Sequence, residues 1–238
     1  MTGIKAILTG HSRGLGAAIA SALAARGIPV LALARQRGAE IEGVTQVALD
    51  LSDSAALSSW LAGDALQAFL AGADTALLIN NAGMLQPVGP LSGQDPTEVA
   101  RAISLNVSAP LMLAAAVSAT DAAERRVLHV SSGAGRNAYP AWAVYCAGKA
   151  ALDHHARAAA LDQADGLRIV SLAPGVIDTD MQAQIRATDV EHFPLRDKFQ
   201  ALKADGALAS PEQCAGRLVA FALSPEFGKD AVADLRDF

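Results

Sequence analysis

Tyr145 and Lys149, in the run Tyr145-Cys146-Ala147-Gly148-Lys149, stand at i and i+4 and share one face of any helix that carries them. A phenol titrates near ~10 in water. A neighbouring ammonium favours the phenolate, so the spacing predicts a lowered phenol and proton transfer near neutral pH. Ser131 and Ser132, followed by Gly133, close an apolar run ahead of this pair. A hydroxyl there can hydrogen-bond a carbonyl and stabilise charge developing on its oxygen. The plainer alternative is a pair of turn serines.

A second constellation fits an anion. Thr9-Gly10-His11-Ser12-Arg13-Gly14-Leu15-Gly16 follows the first apolar run and opens a helical pattern. Glycines allow a tight turn and close backbone approach to a pyrophosphate, and the following helix directs its free N–H groups at that charge. The spacing is not the common G-x-G-x-x-G. A carboxylate some 20 residues on would hold a ribose 2′-OH. The chain instead reads Leu33-Ala34-Arg35-Gln36-Arg37, without an acid. Arg35, with Arg13 converging from the glycine loop, offers planar cations for a 2′-phosphate, which favours NADP(H) over NAD(H).

These residues need elements to hold them. Short apolar runs at 4–9, 29–34, 44–49, 74–80, 126–131 and 167–173 read as buried strands. Helical patterns fall between them: 14–26 ending at Gly27, 52–62 with Ser52 as N-cap, from Asp95 or Thr97 to about 119, and 143–163. A last helix covers 211–223, capped by Ser210 with Pro211 at its first position. Alternation of this kind predicts α/β: a single doubly wound Rossmann-type domain over 1–238, with a parallel sheet of about seven strands between helices. The segment 176–206 is polar and carries no strand pattern, so it is the expected substrate lid.

Composition narrows the functions further. The chain of 238 residues is 52% hydrophobic with net charge −5, so it can bury a core but is ill suited to a phosphate backbone; no nucleic-acid partner is expected. No apolar run of ~18 residues suggests a membrane span, and Met1–Ala6 runs straight into a strand pattern, so a cytoplasmic location is expected. Cys146 and Cys214 form neither a disulfide framework nor a metal site, and His154 and His155 have no ligand spacing, so no metal is expected. His11 is either a phosphate contact or a packed loop residue.

Taken in order, these motifs resemble the short-chain dehydrogenase/reductase family over nearly the whole chain. The resemblance rests on Thr9-Gly10 with Gly14-Leu15-Gly16, Asp50-Leu51, Asn80-Asn81-Ala82-Gly83, Asn106, Ser132, Tyr145, Lys149 and Pro174-Gly175-Val176-Ile177-Asp178-Thr179. It implies a nicotinamide cofactor held by Gly10, Ser12, Arg13, Gly14, Leu15, Gly16, Arg35, Asp50, Leu51, Asn81, Ala82, Gly83, Pro174, Gly175, Ile177 and Thr179, with Tyr145 and Lys149. It also implies that Tyr145 protonates the substrate oxygen, Lys149 holds the nicotinamide ribose, Ser132 polarises the carbonyl and Asn106 fixes a proton-relaying water. Ser132 is preferred over Ser131 for its thirteen-residue distance from Tyr145.

Within that family the second half is similar to the sepiapterin reductase subfamily, as in Trp142–Ala151 and Ala173–Gln182. That likeness implies a carboxylate, Asp234, gripping a pterin edge, although Leu235 and Arg236 replace the subfamily's aromatics. Bacterial-type relatives reduce benzil and other vicinal diketones. The expected substrate is therefore a small diketone or α-hydroxyketone touching Ser132, Trp142, Tyr145, Met181 and Asp234. Trp142, Met181, Phe193 and Asp234 each keep a plain packing or terminal alternative. Alternatives for the whole are oxidation of a secondary alcohol at the same site, a non-catalytic NADPH sensor, and a nucleotide-sugar epimerase, whose longer substrate domain is missing here. Small apolar residues on several faces of the two long helices imply a homodimer or homotetramer through them.

Overall fold

The computed structural model describes residues 3–188 and 193–238. Among them seven parallel strands form one sheet in the order β3-β2-β1-β4-β5-β6-β7. The strands are β1 (Ile4–Thr9), β2 (Val30–Ala34), β3 (Val44–Ala48), β4 (Thr75–Asn80), β5 (Glu124–Val130), β6 (Leu167–Ala173) and β7 (Val232–Asp234). β2 and β4 are buried at every position, the mark of strands covered on both faces. The order reverses beside β1, where β1 pairs with both β2 and β4, and doubly wound sheets bind ligands at such a switch. β7 had no pattern to announce it; three residues suffice because β6 supplies its ladder.

One face is covered by α1 (Gly14–Ala24), against a core of Leu8, Ile19, Leu23, Leu77 and Leu128. On the other face lie α2 (Ser54–Leu61) and α3 (Ala65–Leu70), which was not anticipated. Asp53, not Ser52, caps α2: its carboxylate accepts from Ala55 N and Ala56 N, while the Ser52 hydroxyl turns back to Asp50 at 2.6 Å. Asp95 caps α4 (Pro96–Ile103), accepting from Thr97 N at 2.8 Å. A π-helical stretch, Ser104–Ser108, joins it to α5 (Ala109–Ser118).

The composite helix Pro96–Ser118 is 23 residues long, with a window of mean hydropathy 1.4, and is long and apolar enough by composition to cross a bilayer, which no single apolar run in the sequence announced. In the fold its Ala109, Leu113, Ala114 and Val117 are buried in the core. α6 (Ala143–Leu161) follows β5 and lies on the same face.

The expected lid carries two helices. α7 (Asp180–Ala187) and α8 (Arg196–Ala204) occupy it, and its residues 189–192 lie outside the described residues. Their low apolar content hid them, since each buries few residues: Gln182 and Ile185 on α7, Phe199 on α8. α9 (Pro211–Leu223) packs beside α1 and starts with a full capping box between Ser210 and Gln213.

Candidate active site

The glycine loop is held in place by its neighbours. Gly10 and Gly14 have φ of 73° and 54°, where a Cβ is strained. A Cβ on Gly16 would lie 1.9 Å from the Gly10 carbonyl oxygen, so α1 begins hard against the loop. Thr9 Oγ1 accepts from Asn81 N (3.0 Å) and Ala82 N (2.9 Å), and the Asn81 amide donates to Thr9 O and Gly10 O. Asn81 and Ala82 therefore tie the ends of β1 and β4 together. His11 is buried, and its Nε2 is bound to Gln46 of β3 at 2.9 Å.

Arg35 is exposed at the end of β2. Arg13 reaches across to Asp180, in the first turn of α7, at 3.1 Å. That pair is exposed, and such pairs contribute only ~0.2–1 kcal/mol, so an anion can displace it. Burial works to raise the Asp50 carboxyl, but Ser52 and the charges of Arg35 and Arg101 outweigh it and leave Asp50 below the usual value. Leu51 is buried beside it.

A Cβ on Gly14 would lie 3.6 Å from the methyl of Thr179, the N-cap of α7. Gly175 turns the chain at φ 85°, and Ile177 pairs with Ala209 in an isolated bridge. At the end of β4, a Cβ on Gly83 would lie 3.3 Å from Asn106 Oδ1 and 3.8 Å from Lys149 Nζ. Side-chain-free backbone thus lines a path from the glycine loop to Lys149. Such a cradle fits a dinucleotide, with Gly10 to Gly16 and Thr179 at the phosphate end and Lys149 farther along.

Asn106 sits in the π-helical stretch, a feature frequent at functional sites. Its amide accepts from Met84 N (2.9 Å) and donates to Met84 O (2.8 Å), so its side chain clamps the loop after β4. Gly148 allows α6 to approach it: a Cβ there would sit 3.3 Å from Asn106 Cβ. This glycine was quoted in the sequence only as spacing.

Tyr145 and Lys149 are both buried, with Nζ 5.6 Å from the centre of the Tyr145 ring. They share a face as predicted, but the electrostatic expectation is corrected. Burial pushes the phenol up to about 12; the Ser132 hydroxyl opposes this, and Cys146 adds to it. Lys149 does not offset the burial: its Nζ donates to Val130 O at 2.7 Å, and its own burial brings it down to about 8 against the pull of Asp153. The phenol is therefore protonated at neutral pH. Ser132 lies beside Tyr145 and also accepts from Ala134 N, whereas Ser131 is bound to Asp153 at 2.7 Å and faces the interior.

An aromatic cluster packs against Tyr145. Trp142 stacks on Phe193 with 4.7 Å between ring centres and meets Tyr145 edge-on at 5.6 Å. Phe199, Tyr139, Leu85 and Met181 complete the group. Phe193 is fully buried and ties the lid segment to α6. Asp234 ends β7. Both its oxygens are taken by the Arg236 guanidinium at 2.8 and 2.7 Å, and Arg136 lies 3.9 Å away. Arg236, followed by Arg136, holds its carboxyl below the usual range against its partial burial.

A parallel sheet whose order reverses at β1, and a serine, tyrosine and lysine at the end of β5 and on α6, define a dinucleotide-dependent oxidoreductase. The sequence profile described as short chain dehydrogenase matches residues 5–190. A benzil reductase of the (S)-benzoin-forming type from Bacillus cereus is 33% identical, over 88% of this chain and 90% of its own. A sepiapterin reductase from Meriones unguiculatus is 33% identical, over 97% and 95%. The crystal structure of a short-chain dehydrogenase/reductase from Burkholderia vietnamiensis is 46% identical, covering 100% of this chain and 99% of its own, with a TM-score of 0.71. The chain belongs to the short-chain dehydrogenase/reductase family.

Proposed function

We propose that the chain reduces a small vicinal diketone or α-hydroxyketone with NADPH, and that Tyr145 gives the proton. The observation that carries this reading is the buried, protonated phenol of Tyr145 beside Ser132, one helical turn from a buried Lys149. NADPH, when bound, supplies the hydride. Ser132 hydrogen-bonds the carbonyl that is attacked, and Tyr145 O–H donates to the same oxygen as charge builds on it. Lys149, with Thr179 and the glycine loop, holds the cofactor. Asn106 keeps the loop after β4 in register with Lys149; its part in a proton relay belongs to the same proposal. Trp142, Met181 and Phe199 exclude water from the reacting centre.

The preference for NADPH rests on Arg35 and Arg13 with no carboxylate at the end of β2. The substrate class rests on the benzil and sepiapterin reductases to which the chain is similar. Oxidation of a secondary alcohol at this site requires the phenolate, which burial opposes. In the same reading the protein works in the cytoplasm as a dimer or tetramer, with copies meeting along Pro96–Ser118 and α6. Only 33% of the apolar window in Pro96–Ser118 is buried within the chain, which leaves a face to cover. Sedimentation reads that assembly, and a monomer at every concentration removes it. The functional test is a panel of benzil, diacetyl, sepiapterin and simple monoketones, each assayed with NADPH and NADH. Turnover of the dicarbonyls with preference for NADPH is expected; turnover of none of them removes the assignment.

A further inference from the structure

α6 carries a third ionisable residue on the face of Tyr145 and Lys149. Asp153 lies one further turn along and is 1% exposed. Three elements meet its carboxylate. Oδ1 accepts from Ser131 Oγ at the end of β5 and from Ser171 Oγ of β6, each at 2.7 Å. Oδ2 accepts from Arg136 Nε at 3.2 Å. Arg136 is itself seated by donating to Ala233 O of β7 at 2.8 Å. Gly135, in the turn after β5, lets this group close: a Cβ there would lie 3.0 Å from Asp153 Oδ2 and from the Lys149 carbonyl.

A buried carboxylate is costly to desolvate, and an apolar residue of its volume would fill the same space without that cost. Its retention calls for a local reason, and the buried ammonium of Lys149 is at hand. The groups facing Lys149 are few. From α6 come the Tyr145 phenol and Asp153; from the π-helical stretch, the Asn106 amide; from β5, Val130 O and His129. His129 is uncharged at neutral pH, because burial, followed by His155 and Lys149, brings it down to about 3. Tyr145 is protonated. Asp153 is thus the negative charge, among the described residues, that faces Lys149. Arg136 donates to the second oxygen of this carboxylate and offsets part of its charge.

We propose that Asp153, held by Ser131, Ser171 and Arg136, is a positioning residue that keeps Lys149 in its ammonium form beside Tyr145. It touches neither substrate nor cofactor and acts through Lys149. The inference rests on the function proposed above, so its test has a readout independent of turnover.

That readout is the titration of Lys149, followed by competitive labelling with acetic anhydride across pH 6–11 and peptide mass spectrometry, in the full-length protein and in Asp153→Asn. The expected result is a midpoint for Lys149 lower by about one pH unit in the variant, the size of effect one nearby charge exerts. The basic limb of NADPH-dependent dicarbonyl reduction should move down with it, with activity at pH 6 retained within about threefold. Asp153→Ser, which also removes the charge and is smaller, is expected to shift the midpoint in the same direction by a similar amount, and serves if Asp153→Asn does not fold. Unchanged Lys149 labelling in both variants overturns the proposal, even if activity falls. A shifted midpoint in a protein that reduces none of the dicarbonyls leaves the Asp153–Lys149 coupling standing and removes the functional reading alone.

Discussion

Raising the pH discharges Lys149 long before it ionises Tyr145, and the structure sets both positions. Lys149 is brought down to about 8 by burial, and Tyr145 is pushed up to about 12 by burial. With a midpoint of 8, about nine-tenths of Lys149 is charged at pH 7 and about one-tenth at pH 9. If the ammonium holds the reacting complex together, kcat/KM for reduction falls about ninefold over those two units, and the phenol contributes nothing to the loss. Initial rates of NADPH oxidation with benzil between pH 6 and 10 give the profile directly. Lys149→Met should replace the limb by a low, pH-independent plateau. A profile flat to pH 10 in the unmutated protein would refute the reasoning, because the loss would then follow the phenol and not the ammonium.

Two stability predictions accompany it. Phe193→Ala removes a fully buried ring stacked on Trp142 and should cost about 3–5 kcal/mol, seen as a lowered Tm together with weaker dicarbonyl turnover; an unchanged Tm would mean that the segment around α7 and α8 is not anchored there. His129 is uncharged when folded down to about pH 3, but charges at its usual value near 6.5 when unfolded. The unfolded chain therefore binds the extra proton first, and stability drains as pH falls from 6.5 towards 3, by up to about 5 kcal/mol. His129→Gln should flatten that acid limb in a Tm-against-pH series, and an equally steep limb would assign the loss to the carboxylates.

The sequence made visible what periodicity and capping chemistry encode. β6 at Leu167–Ala173 and α9 at Pro211–Leu223 fall where they were expected, because an apolar strand run and a Ser-Pro-x-Gln start are local signals. α3, β7, α7 and α8 were not visible, since each is short or buries few residues and takes its stability from tertiary neighbours. Spacing alone put Tyr145 and Lys149 together, but not the sign of the phenol's shift, which depends on burial and on the Lys149 ammonium turning to Val130 O. It also could not show that Arg13 pairs with Asp180, distant in sequence, or that Arg236 occupies the carboxylate of Asp234. Ser131 and Ser132 were separated by family spacing, and the structure shows the physical difference: one hydroxyl faces Asp153, the other the Tyr145 phenol.

The most direct test of the account is Tyr145→Phe, which removes one oxygen and leaves the ring that meets Trp142 edge-on. The proton-donor assignment predicts that kcat for dicarbonyl reduction drops by at least about 10²-fold while NADPH binding, measured by fluorescence titration, stays within about threefold. A variant that keeps most of the activity would contradict it.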